Sequence, residues 1–195
     1  MVRLTWGQGQ TGTSPEPRRL WPVHWSKETN CIMTDATAIF DRLKQDHDRH
    51  RELLDKLMQT SGDSDERESL FEELTKELKA HAAAEEQALY STMLRKPPTT
   101  GETRHSVAEH HEIEEALNDL AATDMSSGGW LTKFKSFDHQ YRHHIDEEEE
   151  EHFPDFEKYL DDDDMRHMER VFERRKQDEK EEAEITPEKK EDAKE

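Results

Sequence analysis

Four histidines and two glutamates, residues whose side chains can bind metal ions, recur in this chain with one constant separation. The step in residue number is the same from His47 to His110, from His81 to His144, and from Glu85 to Glu148. Apolar residues such as Leu54 and Leu117, or Phe71 and Phe134, keep this repeat separation. A separation shared by polar and apolar residues indicates a duplicated unit. Two such units packed face to face would bring six ligand side chains together, which predicts a two-metal site.

The spacing within each half favours the same chemistry. His81 and Glu85 are four residues apart, as are His144 and Glu148. This spacing places both side chains of a pair on one helix face, about 6 Å apart along the axis. Imidazole nitrogens combined with carboxylate oxygens suit iron, manganese or zinc better than calcium or copper(I). Two bridging carboxylates with two imidazoles per ion leave positions open for water, an oxo bridge or a small gas.

A metal-free explanation competes with this prediction. One inward histidine is usually an ordinary core residue, and an acidic run such as residues 147–151 is usually a solvated face. The protein would then be an acidic helical protein that binds cations loosely. Burying four histidines and two carboxylates without metal, however, would cost on the order of several kcal/mol per unpaired charge. The duplicated pattern therefore favours a specific site.

Other polar residues have weaker roles in this prediction. His50 follows His47 on the same helix face, and Tyr141 precedes His144 by one turn. Each either hydrogen-bonds near the metal or simply packs in the core. Three histidines fall off the inner faces and are expected at the surface: His111, His143 and His152. Two glutamates related by the repeat separation are expected on the helix surface or as partners of the ligands: Glu86 and Glu149.

Helices must position these residues, and the helical spacing of apolar residues predicts four of them, the first capped by Thr34. The expected breaks are Ser61-Gly62, Pro97-Pro98, residues 126–129, and a kink or end at Pro154. Residues 161–164 would cap a fifth helix whose inner residues are Met165, Met168, Val171 and Phe172. Beyond Lys176 no apolar face continues, which predicts a frayed or disordered tail.

The predicted fold is all-α: an antiparallel up-down-up-down four-helix bundle with an extra C-terminal helix and disordered tails. Residues 1–33 form a disordered N-terminal arm in this prediction, because they show no apolar period. Residues 34–160 form the metal-binding bundle. Residues 161–195 form a charged helix and a disordered acidic tail.

Charge and cysteine content exclude several classes of function. The net charge of −20 over 195 residues argues against nucleic acid or an anionic membrane as a partner. Cys31 is the only cysteine, so an internal disulfide and cysteine-ligated zinc or iron–sulfur sites are excluded. No apolar run is long enough to cross a bilayer. A cytoplasmic protein is expected.

Four stretches resemble the motifs of the hemerythrin-like family, the HHE cation-binding domain. They are Gln45-Asp46-His47-Asp48, residues 81–90, residues 109–113 and residues 144–154, within a resemblance that covers residues 34–160. The resemblance implies a four-helix bundle with two iron ions in an oxo- or hydroxo-bridged centre, with manganese or zinc as alternatives. It implies terminal ligation by four histidines and bridging by two glutamates: His47, His81, His110, His144, Glu85 and Glu148.

Members of this family bind oxygen, sense oxygen, iron or redox state, or act in nitric oxide handling or iron–sulfur repair. The favoured function is therefore the binding or sensing of a small diatomic ligand, O2 or NO. Alternatives are a di-iron oxidoreductase acting on NO or peroxide, iron storage, and iron–sulfur repair. A binding protein is favoured over an enzyme because no second acid–base pair is present. A protein partner would use the C-terminal helix.

Overall fold

A computed structural model describes residues 38–182, and these residues are almost entirely helical, without a strand. The all-α prediction is confirmed. Five long helices follow one another: α1 (Ala38–Gln59), α2 (Asp65–Glu85), α3 (Thr100–Ala121), α4 (Gly128–Glu147) and α5 (Asp162–Glu182). None of the helices in residues 38–182 has the length and apolar character needed to cross a membrane. The predicted Thr34 cap, N-terminal arm and extreme C-terminal tail lie outside the described residues.

The predicted breaks between α1, α2, α3 and α4 are present. Gly62 supplies a positive φ of 68° in the turn after α1, which a residue without Cβ adopts readily. Ser64 then caps α2 by accepting a hydrogen bond from the Arg67 amide at 3.2 Å. The Pro97–Thr99 3₁₀ turn precedes α3, and Ser127 caps α4.

Two π turns extend α2 and α4 at equivalent places. Glu86–Tyr90 follows α2 directly and leads into Ser91–Met93, whereas Glu148–His152 follows α4 and leads into Phe153–Phe156 and the 3₁₀ turn Glu157–Tyr159. Of the two outcomes expected at Pro154, the structure excludes an end of the helix. Pro154 lies in the first turn of the segment after the π turn, where a missing N–H costs little.

Neighbouring helices of the bundle run in opposite directions. Asp46 of α1 contacts His81 near the end of α2, whereas Arg49, further along α1, contacts Glu73 earlier in α2. The contacts between α3 and α4 have the same reversed order: Glu109 with His144, Glu112 with Gln140, and Asp119 with Lys133.

Two apolar clusters fill the interior, with a polar layer between them. One cluster contains Trp130 and Phe134, whose rings stack at 5.1 Å, and the other contains Phe40 and Phe153 at 5.2 Å. The predicted ligands fall near the junction of the two clusters: His47, for example, lies between Leu43 of one cluster and Leu53 of the other. The polar layer is therefore closed off from water on both sides.

The fifth helix packs against α1 and α2. The Asp161 carboxylate caps it by accepting hydrogen bonds from the amides of residues 163 and 164. Met165, Met168 and Phe172 are buried, as predicted, and Val171 is half-buried. The expectation of fraying beyond Lys176 is wrong as far as Glu182, because the helix continues to that residue, and the rest of the predicted tail lies outside the described residues. Ion pairs replace apolar contacts there, since buried Lys176 pairs with Asp46 and Lys180 pairs with Glu77.

Candidate metal centre

The six predicted ligand residues lie together, and each is at most 6% exposed. They form two groups, one from each half of the duplicated pattern: His47, His81 and Glu85, and His110, His144 and Glu148. Within each group, one nitrogen or oxygen atom per residue lies within 4.8 Å of the others. The imidazole rings also pair alike, because the ring centroids of both histidine pairs are 4.9 Å apart.

Each glutamate contacts one histidine of each group. Four contacts join the groups: Glu85 Oε2 with His81 Nε2 (3.3 Å) and His110 Nε2 (3.6 Å), Glu148 Oε2 with His47 Nε2 (3.5 Å), and Glu148 Oε1 with His144 Nε2 (3.6 Å). Both carboxylates therefore lie between the two groups, where they could contact two ions at once.

These carboxylates are buried with unsatisfied oxygens. Neither oxygen of Glu85 accepts a hydrogen bond, nor does Oε2 of Glu148, and both residues are fully buried. The Tyr90 hydroxyl donates to Oε1 of Glu148. A buried carboxylate without donors is strongly destabilising unless a cation compensates it. The nitrogen and oxygen donors of this site, and the buried negative charge that no hydrogen bond compensates, therefore fit metal ions.

A carboxylate also lies on the far nitrogen of each histidine. The four Nδ1 contacts are His47 with Glu149 (2.8 Å), His81 with Asp46 (3.1 Å), His110 with Glu86 (3.0 Å) and His144 with Glu109 (3.0 Å). A carboxylate at Nδ1 keeps the proton there and leaves the Nε2 lone pair directed at the centre, which is the usual arrangement of metal-binding histidines.

The carboxylate partners of the histidines were predicted from the sequence only in part. Glu86 and Glu149 were expected on the helix surface or as partners of the ligands, and they are partners. The roles of Asp46 and Glu109 were missed. Their signal was present, because these two acidic residues are also related by the repeat separation and each precedes a predicted ligand by one position.

The charge of the metal-free first group depends on one proton, which His81 carries. Burial lowers the pKa of His47 to about 4. Burial also opposes the charge on His81, but the neighbouring carboxylates of Asp46 and Glu85 outweigh it and raise the pKa of His81 to about 9. The metal-free group thus holds a neutral His47 beside a protonated His81, whose positive charge partly substitutes for a cation.

The two glutamates have opposite pKa shifts. Burial raises the pKa of Glu148, and the nearby negative charge of Glu85 raises it further, to about 7. Burial also favours the neutral form of Glu85, but contact with His81 outweighs it and lowers the pKa of Glu85 to about 2. Two carboxylates this close cannot both ionise easily without a cation between them.

His50 and Tyr141 lie beside the first group and contact each other. His50 Nδ1 is 2.7 Å from the Tyr141 hydroxyl, and both side chains are buried. The remaining nitrogen of His50, Nε2, has no hydrogen-bond partner. Burial and the neighbouring His81 and His47 hold the pKa of His50 well below its ordinary value, so the ring is neutral.

The structure corrects the expectation for one histidine and confirms it for two. His111 and His143 are exposed, as expected. His152 is buried, with Nδ1 at 3.1 Å from Ser106 Oγ. His152 lies four residues after Glu148, a spacing that keeps both side chains near one helix face, and the repeat separation relates it to buried Leu89. The sequence therefore contained the signal for a buried His152, and the prediction overlooked it.

An open groove reaches the second group from the surface. It has a volume of about 390 Å³ and is lined by His110, by small and apolar residues of α2 and α3 such as Ala82, Ala83, Val107 and Ile113, and by charged residues that include Lys79, Glu114 and Arg175. Alanines at this point of α2 leave the space that larger side chains would fill.

Comparisons with known proteins agree with this geometry. The family model for the hemerythrin HHE cation-binding domain matches residues 38–156, which include all six residues of the two groups. The solved structure of a hemerythrin HHE cation-binding-domain protein from Mycobacterium kansasii is similar, with a TM-score of 0.65 and 25% sequence identity. That similarity covers 73% of this chain and 87% of the other. No curated protein matches the sequence significantly.

Proposed function

Because the chain belongs to the hemerythrin family of HHE cation-binding domains, we propose that it holds two iron ions and binds a small diatomic ligand, O2 or NO. His47 and His81 would hold one ion, His110 and His144 the other. The observation that carries this proposal is the placement of Glu85 and Glu148, each of which faces both histidine pairs. Manganese or zinc would suit the same donors.

Ferrous ions at this centre would supply electrons and open coordination positions for a diatomic ligand. The protein itself would orient the histidine ligands and exclude water from the centre. The Nδ1 carboxylates fix the direction of each imidazole, and apolar clusters cover the centre on both sides. Six protein ligands for two ions leave positions vacant, unlike a closed structural site.

The groove that reaches His110 supports a small ligand. Its walls include Ala82, Ala83, Val107 and Ile113, and His110 is 6% exposed at its inner end. We propose this groove as the route by which the diatomic ligand enters. Its apolar side chains suit an uncharged gas, and charged side chains line the same groove.

His50 and Tyr141 are proposed to hydrogen-bond the ligand on the side of the first group. A phenol that donates to His50 Nδ1 leaves the proton on His50 Nε2, which has no protein acceptor. A small acceptor near the first group would satisfy that N–H. The alternative tautomer leaves two unsatisfied groups rather than one, because the phenol proton would also lack an acceptor.

A di-iron oxidoreductase acting on NO or peroxide is the second candidate. The observation that favours it is the Tyr90 hydroxyl on Glu148, a buried proton donor next to the centre.

We further propose a cytoplasmic location and a protein partner on the outer face of α5. The inner face of α5 is already packed on α1 and α2, so only the outer face remains for a partner.

Anaerobic exposure of the ferrous protein to NO tests the proposal and separates the candidates. Binding predicts a saturable optical change that reverses when NO is removed. Repeated consumption of NO or peroxide, with many turnovers per chain, would instead establish the oxidoreductase. A ferrous protein whose spectrum does not respond to NO or O2 would contradict both. His143→Ala is the control variant and should respond to NO as the native protein does, because His143 is exposed, lies next to His144 and does not line the groove.

A further inference from the structure

A third cluster of metal-binding side chains lies at the surface, outside the buried centre. One donor atom each of His105, Glu109 and Glu147 falls within 4.8 Å of the others. His105 Nε2 is 3.6 Å from Glu109 Oε1 and 3.7 Å from Glu147 Oε2. The His105 side chain is 56% exposed, so the cluster is accessible from solvent.

The duplicated pattern provides an internal comparison for this cluster. The repeat separation relates His105 to Arg42 and Glu109 to Asp46. In the first half, the guanidinium of Arg42 and the ammonium of Lys176 both pair with Asp46. In the second half, no lysine or arginine within residues 38–182 pairs with Glu109. The first half thus places two permanently charged side chains beside Asp46, whereas the second half places the imidazole of His105 beside Glu109.

The surroundings add negative charge, although Asp155 is paired with Lys158. The pocket at this cluster is also lined by Glu102, Glu151 and Asp155, and contains no lysine or arginine in its lining. His152, which is only 5% exposed, directs Nε2 toward Glu147 Oε1 at 3.9 Å, beyond hydrogen-bond distance. Its other nitrogen, Nδ1, contacts Ser106 Oγ at 3.1 Å.

We propose that His105, Glu109 and Glu147 form a third metal site, which takes one divalent transition-metal ion such as Fe²⁺, Mn²⁺ or Zn²⁺. One imidazole with two carboxylates suits these ions, and water would complete the coordination. The ion takes the place that Arg42 occupies in the first half. The site is separate from the proposed di-iron centre and stands or falls independently of it.

Glu109 links this site to the buried centre. Its Oε1 faces His105, whereas its Oε2 accepts a hydrogen bond from His144 Nδ1 at 3.0 Å. An ion on Oε1 holds the carboxylate in place for His144, as Arg42 does through Asp46 for His81. The surface site is thus one carboxylate away from a buried ligand.

Calorimetric titration of the iron-loaded protein with Zn²⁺ at physiological salt tests the proposal, because salt suppresses diffuse binding to an acidic surface. The test variant is His105→Arg, which copies the Arg42 arrangement and should keep the fold. The matched control is His111→Arg. His111 and Glu115 form the same i, i+4 pair on the same helix, with Nε2 and Oε1 3.4 Å apart, but both are exposed and belong to no three-residue metal cluster.

The native protein and His111→Arg are expected to bind one Zn²⁺ beyond their iron, and His105→Arg should weaken that event at least about tenfold. Glu147→Gln should weaken it as well, and serves if His105→Arg does not fold. Absence of a saturable event in the native protein, or native-like binding by the folded variants, would overturn the proposal. Failure of the di-iron centre is separately visible, because the iron count is measured before Zn²⁺ is added.

Discussion

His47 and His81 face each other with their Nε2 atoms 3.1 Å apart. The Nδ1 atom of each ring contacts a carboxylate, which keeps a proton on that side. Two facing lone pairs repel unless a proton or a metal ion lies between them. In the metal-free protein the proton is on His81, and a metal ion must displace it to bind.

Metal binding should therefore release protons in a pH-dependent way. The raised pKa of His81, about 9, means that binding near pH 8 releases about one proton from this residue. Release should grow as pH falls through 7, because Glu148, with a pKa of about 7, is then protonated as well. Protons and metal compete, so affinity weakens toward acid. Calorimetry in buffers of different ionisation enthalpy measures the release, and constant release between pH 6 and 8 would contradict this account.

Removal of a bridging carboxylate should affect both ions. Glu148→Ala is expected to lower bound iron from two ions per chain to one or none, because Glu148 contacts His47 and His144 in different groups. The iron-loaded protein should also melt several degrees lower, roughly in proportion to the lost binding free energy. Iron analysis and calorimetry provide the measurement. The control is Glu150→Ala, an exposed residue of the same acidic run; equal iron in both variants would refute the ligand assignment.

The helices and the grouping of the six central residues could be predicted from the sequence because both depend on local spacing. His81 and Glu85 share a face through regular helix geometry, and the repeat separation carries that pair into the second half. Contacts made by long side chains across helices were not predictable in this way. Tyr90 reaches Glu148, and Lys176 reaches Asp46, only once the helices are packed. His152 was misplaced although its spacing from Glu148 and its repeat relation to buried Leu89 both indicate an inward position.

Weakening one Nδ1 partner should reduce metal affinity without removing a ligand. Glu86→Gln keeps an oxygen that can accept from His110 Nδ1 but loses the negative charge that makes the imidazole a better donor. We expect metal affinity to fall about tenfold or more. Competition with a chelator measures the change. Glu114→Gln is the control, since Glu114 pairs with Lys79 at the surface, and the same loss in both variants would exclude the proposed role of Glu86.

Tyr90 should matter most when metal is absent. Tyr90→Phe leaves Oε1 of buried Glu148 without its donor, which should lower the free energy of unfolding of the metal-free protein by about 1–3 kcal/mol. A metal ion on Glu148 would compensate, so the iron-loaded variant should lose less. Urea denaturation of both forms tests this, with exposed Tyr159→Phe as the control. An equal loss in both forms would show that a metal ion does not compensate for the lost hydroxyl on Glu148.

Arg67 should stabilise the end of the bundle without influencing the metal. Its guanidinium donates to the carbonyl oxygens of Thr60 and Met125, both at 2.7 Å, and lies over the Trp130 ring. Arg67→Met would leave these carbonyls unpaired, which should cost about 2–4 kcal/mol of unfolding free energy with iron content unchanged. Exposed Arg104→Met is the control. A loss of iron in Arg67→Met at a temperature where it is folded would contradict the separation of the two regions.

The most direct test of the central claim is iron analysis combined with Mössbauer spectroscopy of the reconstituted protein after gel filtration in air. Glu85 and Glu148 each face both histidine pairs, so the account predicts two ferric ions per chain that are magnetically coupled into a diamagnetic pair. One ion, none, or two ions that behave as independent paramagnets would contradict a bridged centre across the two halves of the bundle.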